Sequence, residues 1–161
     1  MAAAEMLSPN FSLDELILSS TAVRAGIDNR PATPVILDNL RMLAGYLEDV
    51  RHELSDLPVL IDSAYRCPRV NQMVGGVKDS AHIMGLAADI ICPRFGSPLE
   101  ICRALAKSKI PFHQIIHEFG RWCHIGFAPK GVVPARELLT IADPRVGYVL
   151  GLRSVEGAKI A

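Results

Sequence analysis

Two apolar patterns alternate along this chain, a helical recurrence and short continuous runs, and their order sets out the elements. Ile36, Leu40, Leu43, Leu47, Val50 and Leu54 line one face of a helix that begins at Thr33 or Pro34. Upstream, Ser12 with Glu15 three residues later forms a capping box, which opens a short helix through about Ser20; the turn-rich stretch Gly26 to Pro34 follows. Pro58 to Tyr65 is an apolar run of strand length, and Arg66-Cys67-Pro68 leaves it, because a residue before proline avoids helical geometry.

Val70 to Ser80 contains Gly75-Gly76 and reads as a loop. Gly85 to Cys92 supplies a second strand with Asp89 near its start, and Pro98 to Lys107 a third helix. His113 to Glu118 and Trp122 to Phe127 flank Phe119-Gly120-Arg121 as the arms of a β-hairpin. The last thirty or so residues read as a short helix around Ala135 to Ile141 and an apolar segment Val146 to Leu152. No internal repeat, linker or low-complexity tract interrupts this order.

With half of its 161 residues apolar, the chain can bury one full-sized core, so a single domain is expected over residues 1–161. Basic and acidic residues number 17 each and form no runs, which argues against nucleic acid and anionic membranes as partners. The N-terminus lacks the basic and apolar regions of a signal peptide, and no stretch is long enough to span a bilayer; the expected location as synthesised is the cytoplasm. Cys67, Cys92, Cys102 and Cys123 contain no Cys-x-x-Cys pair and read as free thiols.

Chemistry enters with Ser80-Ala-His82 through Asp89 and with Trp122-Cys123-His124. Two imidazoles and a carboxylate are the ligand set of a catalytic zinc, which keeps its fourth position open, whereas structural zinc is usually closed by four cysteine-rich ligands. His82 lies in a loop and Asp89 on a strand, so both can reach one point, to which folding must bring His124.

Ser63-Ala64-Tyr65-Arg66, Asn71, Gly75-Gly76, Ser80-x-His82-x-x-Gly85-x-Ala87-x-Asp89 and Trp122-x-His124 occur in an order that resembles the zinc D-Ala-D-Ala carboxypeptidase family. That family includes L-alanyl-D-glutamate endopeptidases of phage lysins. The similarity runs from about Phe11 to Phe127, takes in Asn29-x-Pro31 and Asn39-Leu40, and is closest to the short, single-domain, phage-associated branch. Residues 128–161 then form an extension of the same domain.

The resemblance implies that His82, Asp89 and His124 hold one zinc ion, and that Arg66 faces the substrate carbonyl or carboxylate. Arginine suits that task because it stays charged and grips oxygen pairs through parallel donors. Ser80, Asn71 and Trp122 are candidate substrate contacts, each with a structural alternative: turn formation for Ser80 and Asn71, core packing for Trp122.

Many relatives carry an acid three residues before the last histidine ligand, where this chain has Arg121, and a cation cannot accept a proton. Glu118 is the nearest carboxylate and the expected base. A three-residue hairpin loop pairs it with Trp122 on the face of His124, whereas a two-residue loop would bring His117 there instead. Cys123 points to the other face.

The expected fold is α+β, a small, mainly antiparallel sheet with N-terminal helices, as in the zinc D-Ala-D-Ala carboxypeptidases. The expected activity is zinc-dependent hydrolysis of peptidoglycan stem or cross-link peptides, by a monomer that reaches the wall after release, as a phage or prophage lysin or in a tail or secreted particle. The alternative is a non-catalytic zinc module for wall binding or phage assembly.

Overall fold

A computed structural model describes residues 3–159 of the chain. Its elements are α1 (Leu13–Ile17), α2 (Ser20–Ala25), α3 (Pro34–Glu53), β1 (Leu60–Ser63), α4 (Pro68–Met73), β2 (Ala87–Ile91) and α5 (Pro98–Lys107). Then follow β3 (Phe112–Glu118), β4 (Trp122–Phe127), β5 (Glu137–Ile141), β6 (Tyr148–Leu150) and α6 (Val155–Lys159). No helix among the described residues is long and apolar enough to cross a membrane.

Helix α3 forms as its spacing predicts: Thr33 caps it by accepting from the Ile36 N–H, Pro34 occupies the first turn, and Leu40, Leu43, Ala44, Leu47 and Val50 are buried. Helix α5 opens on a capping box between Ser97 and Glu100. Both helices share one apolar core with Ala88 and Ile90 of β2, Ile115 of β3 and Cys123, Ile125 and Phe127 of β4. Tyr46 of α3 stacks on Phe127 with ring centroids 4.2 Å apart. The helices therefore cover one face of the sheet and leave the other for chemistry.

The six strands run in the order β1-β2-β4-β3-β5-β6. The sheet is mixed rather than mainly antiparallel, because β5 pairs parallel to β3. The connection explains this. Phe127 ends β4 opposite Phe112 at the start of β3, and β5 begins at Glu137 opposite Gln114, so residues 128–136 stay at one end of the sheet. Arg136 pins the start of β5: its guanidinium donates to the carbonyls of Ile110, Ala106 and Ser108 and lies 4.2 Å over the Phe112 ring.

Three further expectations are corrected. The first short helix stops at Ile17, and α2 follows because the Ser19 hydroxyl accepts from the Ala22 N–H and left-handed Gly26 closes it. Part of the expected Val70–Ser80 loop is helical, since Pro68 suits a first turn and Val70 and Asn71 find buried positions. Residues 135–141 give a strand instead of a helix. There the open edge of β3 offers Leu138 to Ile141 a full ladder, and tertiary pairing outweighs local helix preference. The four cysteines remain free thiols, as expected.

Gly85 closes the turn after His82 with φ of +69°, and an added Cβ there would meet Leu40 Cγ at 3.1 Å and the Ile36 carbonyl at 3.2 Å. Gly85→Ala is expected to destabilise the protein by about 1–3 kcal/mol through left-handed strain and this crowding. Urea denaturation measures it, and an unchanged midpoint would contradict the account.

Candidate metal centre

The site is assembled on the open face by strand register. Asp89, in the middle of β2, pairs directly with His124 of β4, so both side chains project to the same side. Cys123 and Ile125 alternate into the core. On the far side of β4, Ile116 pairs with His124 and Glu118 with Trp122. The loop between these strands has three residues, with Phe119 and Gly120 both at positive φ. Glu118 therefore shares the face of His124. His117 pairs with Cys123 on the opposite face, away from the triad, and its Nδ1 lies 2.8 Å from the Arg153 carbonyl.

His82 arrives from a tight turn, in which Ser80 Oγ accepts from the His82 N–H and the Gly85 N–H returns to the His82 carbonyl. Its Nδ1 lies 2.5 Å from the Ala64 carbonyl. Donation along that contact fixes the tautomer and leaves Nε2 as the lone-pair nitrogen. The Arg66 N–H in turn bonds the His82 carbonyl at 3.2 Å, so the exit from β1 and the ligand loop brace each other.

Nε2 of His82 is 3.2 Å from Nδ1 of His124 and 3.3 Å from Oδ1 of Asp89, and the last two atoms are 2.9 Å apart. Ligand bonds of about 2.0–2.1 Å to a tetrahedral zinc place neighbouring donors roughly 3.3 Å apart, so these separations and this donor set fit the ion. The three residues are buried, and they are the one such metal-competent group among the described residues.

Electrostatics follow from this crowding. Burial alone pushes the Asp89 carboxyl up, but the adjacent His82 and His124 imidazoles bring it well below the usual range. Burial likewise disfavours charged His124, yet the hydrogen bond and charge of Asp89, with Glu118 beyond it, hold its pKa above the ordinary 6.5 against the opposing effect of Arg66. Metal binding requires neutral imidazole and ionised carboxylate. Asp89 is held ionised, whereas the raised His124 pKa favours the protonated imidazole, so zinc competes with a proton there. Zinc affinity is therefore expected to fall as pH drops through the raised His124 pKa, with proton release on binding. Calorimetry in buffers of different ionisation enthalpy measures that release; identical heats in all buffers would contradict it.

Glu118 is held beside the triad by one hydrogen bond. Its Oε2 accepts from the Trp122 indole N–H at 2.9 Å, and its Oε1 lies 3.9 Å from His124 Nδ1. Burial and then the nearby Asp89 charge raise its pKa above the ordinary carboxylate value, against His124, the Trp122 bond and His82. Trp122, expected as a substrate contact, thus has a defined bond to Glu118 and is half-buried.

Arg66 forms no ion pair among the described residues, and its buried Nε has no hydrogen-bond partner. Burial lowers its pKa, while Asp89, Glu118 and Tyr148 act in the other direction. Asn29 fixes the backbone on both sides of Arg66: its amide donates to the Tyr65 carbonyl at 3.0 Å and its carbonyl accepts from the Cys67 N–H at 2.7 Å. Nothing in the sequence signals this part, since the burial of Asn29 is set by distant elements.

Asn71 is 2% exposed, and its amide donates to the Val77 carbonyl at 2.9 Å beneath Gly76, where a Cβ would lie 2.2 Å from Asn71 Oδ1. It holds the loop leading to Ser80, the turn-forming part that stood as the alternative to a substrate contact. Ser80 is half-buried; its hydroxyl braces the His82 turn and keeps a free donor.

No curated protein matches the chain significantly. The sequence profile of the family described as Peptidase M15 matches residues 9–126, a span that contains Arg66, His82, Asp89, Glu118 and His124. With most of its length matched and a zinc-competent His-Asp-His group inside the match, the chain belongs to the peptidase M15 family, that of the zinc D-Ala-D-Ala carboxypeptidases.

Proposed function

We propose that this chain hydrolyses a peptide bond in the stem or cross-link peptides of peptidoglycan, with one zinc ion held by His82 Nε2, Asp89 Oδ1 and His124 Nδ1. The carrying observation is that Glu118 Oε1 lies 3.9 Å from a donor of the buried triad and on its face of the sheet. When bound, zinc would polarise the scissile carbonyl and lower the pKa of a water from 15.7 towards about 7.

Glu118 Oε1 takes the proton of the attacking water and delivers it to the departing amine nitrogen, while the Trp122 indole keeps Oε2 fixed. The raised Glu118 pKa favours both halves of that transfer near neutral pH. Arg66, with no carboxylate partner among the described residues, stabilises the negative charge that develops on the substrate. The His82–Ala64 bond keeps the first imidazole in its ligand tautomer.

Residues 1–161 act as one monomeric unit in this reading, reaching the wall after release from the cytoplasm, as a phage or prophage lysin or particle component. The test is release of new amino groups from purified muropeptides by the zinc-loaded protein. Zinc retained without amine release would favour the alternative, a wall-binding or assembly module.

A further inference from the structure

The family match ends at residue 126, and β5, β6 and α6 lie beyond it. These later elements bring one polar aromatic group to the site. Glu118 pairs with Trp122 on one side and with Ile141 on the other, and Ile141 pairs with Tyr148. Directly paired residues project to the same side of a sheet, so Trp122, Glu118, Ile141 and Tyr148 form one row on the open face. Two strand spacings, about 9–10 Å, separate the Tyr148 and Glu118 backbones.

Tyr148 stands on β6 and Arg66 lies three residues beyond the end of β1, and β6 and β1 are the outer strands of the sheet. The same charges act on both: after burial, Glu118 and Asp89 raise the Tyr148 phenol pKa, with Arg66 opposing them, and Asp89 and Glu118 likewise act on Arg66. Between them lies a floor of Ile116, Leu139 and Ile141 beside Glu118. Tyr148 is 53% exposed, and Arg66 Nε is buried without a partner. A cation on one wall and a neutral hydroxyl on the other suit an anion, and Glu118 repels that anion from the centre of the floor. The half-exposed rim position of Tyr148 suits a group that stays bound through the reaction rather than the reacting carbonyl itself.

We propose that Tyr148 is a substrate-binding residue, whose hydroxyl donates a hydrogen bond to the peptide carboxylate that Arg66 grips next to the scissile bond. This rests on the peptidoglycan-peptidase reading above. Two carboxylates of a stem pentapeptide qualify, the C-terminal one of D-Ala and the α-carboxylate of D-Glu.

The experiment compares zinc-loaded wild type and Tyr148→Phe on such a pentapeptide and on two analogues, each with one of these carboxylates converted to a carboxamide. The substitution removes one oxygen from a half-exposed ring, so zinc content and Tm stay at wild-type values. Loss of a hydrogen bond to a charged group raises KM by roughly tenfold, with kcat within about twofold. The KM difference between the proteins shrinks to within about twofold on one carboxamide analogue, which identifies the carboxylate. Wild-type cleavage with an unchanged KM in Tyr148→Phe, or a KM effect that survives both carboxamides, overturns the proposal while the peptidase reading stands. A wild type that holds zinc and cleaves none of the three peptides overturns both.

Discussion

Glu118→Gln is expected to slow muropeptide hydrolysis by about 10²–10⁴-fold, the usual contribution of a positioned general base, while leaving zinc content and stability near wild type. The substitution keeps the shape of the side chain and an oxygen that can accept the Trp122 indole N–H, so the architecture around β3 and β4 is preserved. It removes the lone pair that faces the triad at 3.9 Å and the charge that could carry a proton to the leaving nitrogen. Kinetics on the zinc-loaded variant with metal analysis in parallel measure the separation. A variant with near-wild-type turnover would remove Glu118 from the mechanism, and one that lost zinc would make it a structural part of the metal site.

Asp89→Ala is expected to abolish both zinc uptake and hydrolysis. Asp89 Oδ1 lies within 3.3 Å of both imidazole nitrogens, so it is the one anionic donor and the group that orients the other two. A ligand that binds only the folded state at a hundred times its Kd stabilises that state by about 2.7 kcal/mol. Wild type should therefore show a zinc-dependent rise in Tm, reversed by a chelator, and Asp89→Ala should show none. His82→Ala is expected to behave alike. Unchanged zinc stoichiometry in both variants would show that the ion sits elsewhere.

The parts of this fold that the sequence revealed are those fixed by local period and capping. The leucines of α3 recur at helical spacing and Ser97 and Glu100 frame α5; Glu118 and His117 are alternatives in the sequence, and the register of the hairpin places Glu118 on the face of His124. Alternation along β4 likewise separated His124 from Cys123. What the sequence hid depends on distant partners. The strand at Glu137–Ile141 exists because β3 has an open edge, and nothing local in Leu-Leu-Thr-Ile announces a parallel neighbour. The same pairing carries Tyr148 to the site, so its part was invisible for the same reason. The burial of Asn71 and the clamp of Asn29 on both flanks of Arg66 were hidden too, since a short polar side chain gives no sign of the backbone it will bond.

The most direct test of the central claim is mass spectrometry of purified peptidoglycan after digestion by the zinc-loaded protein, with Glu118→Gln as the control. New fragments whose masses increase by one water across a stem or cross-link peptide bond are expected, absent from the control digest and after zinc removal. Peptidoglycan left intact by a protein shown to hold one zinc at His82, Asp89 and His124 would contradict that claim.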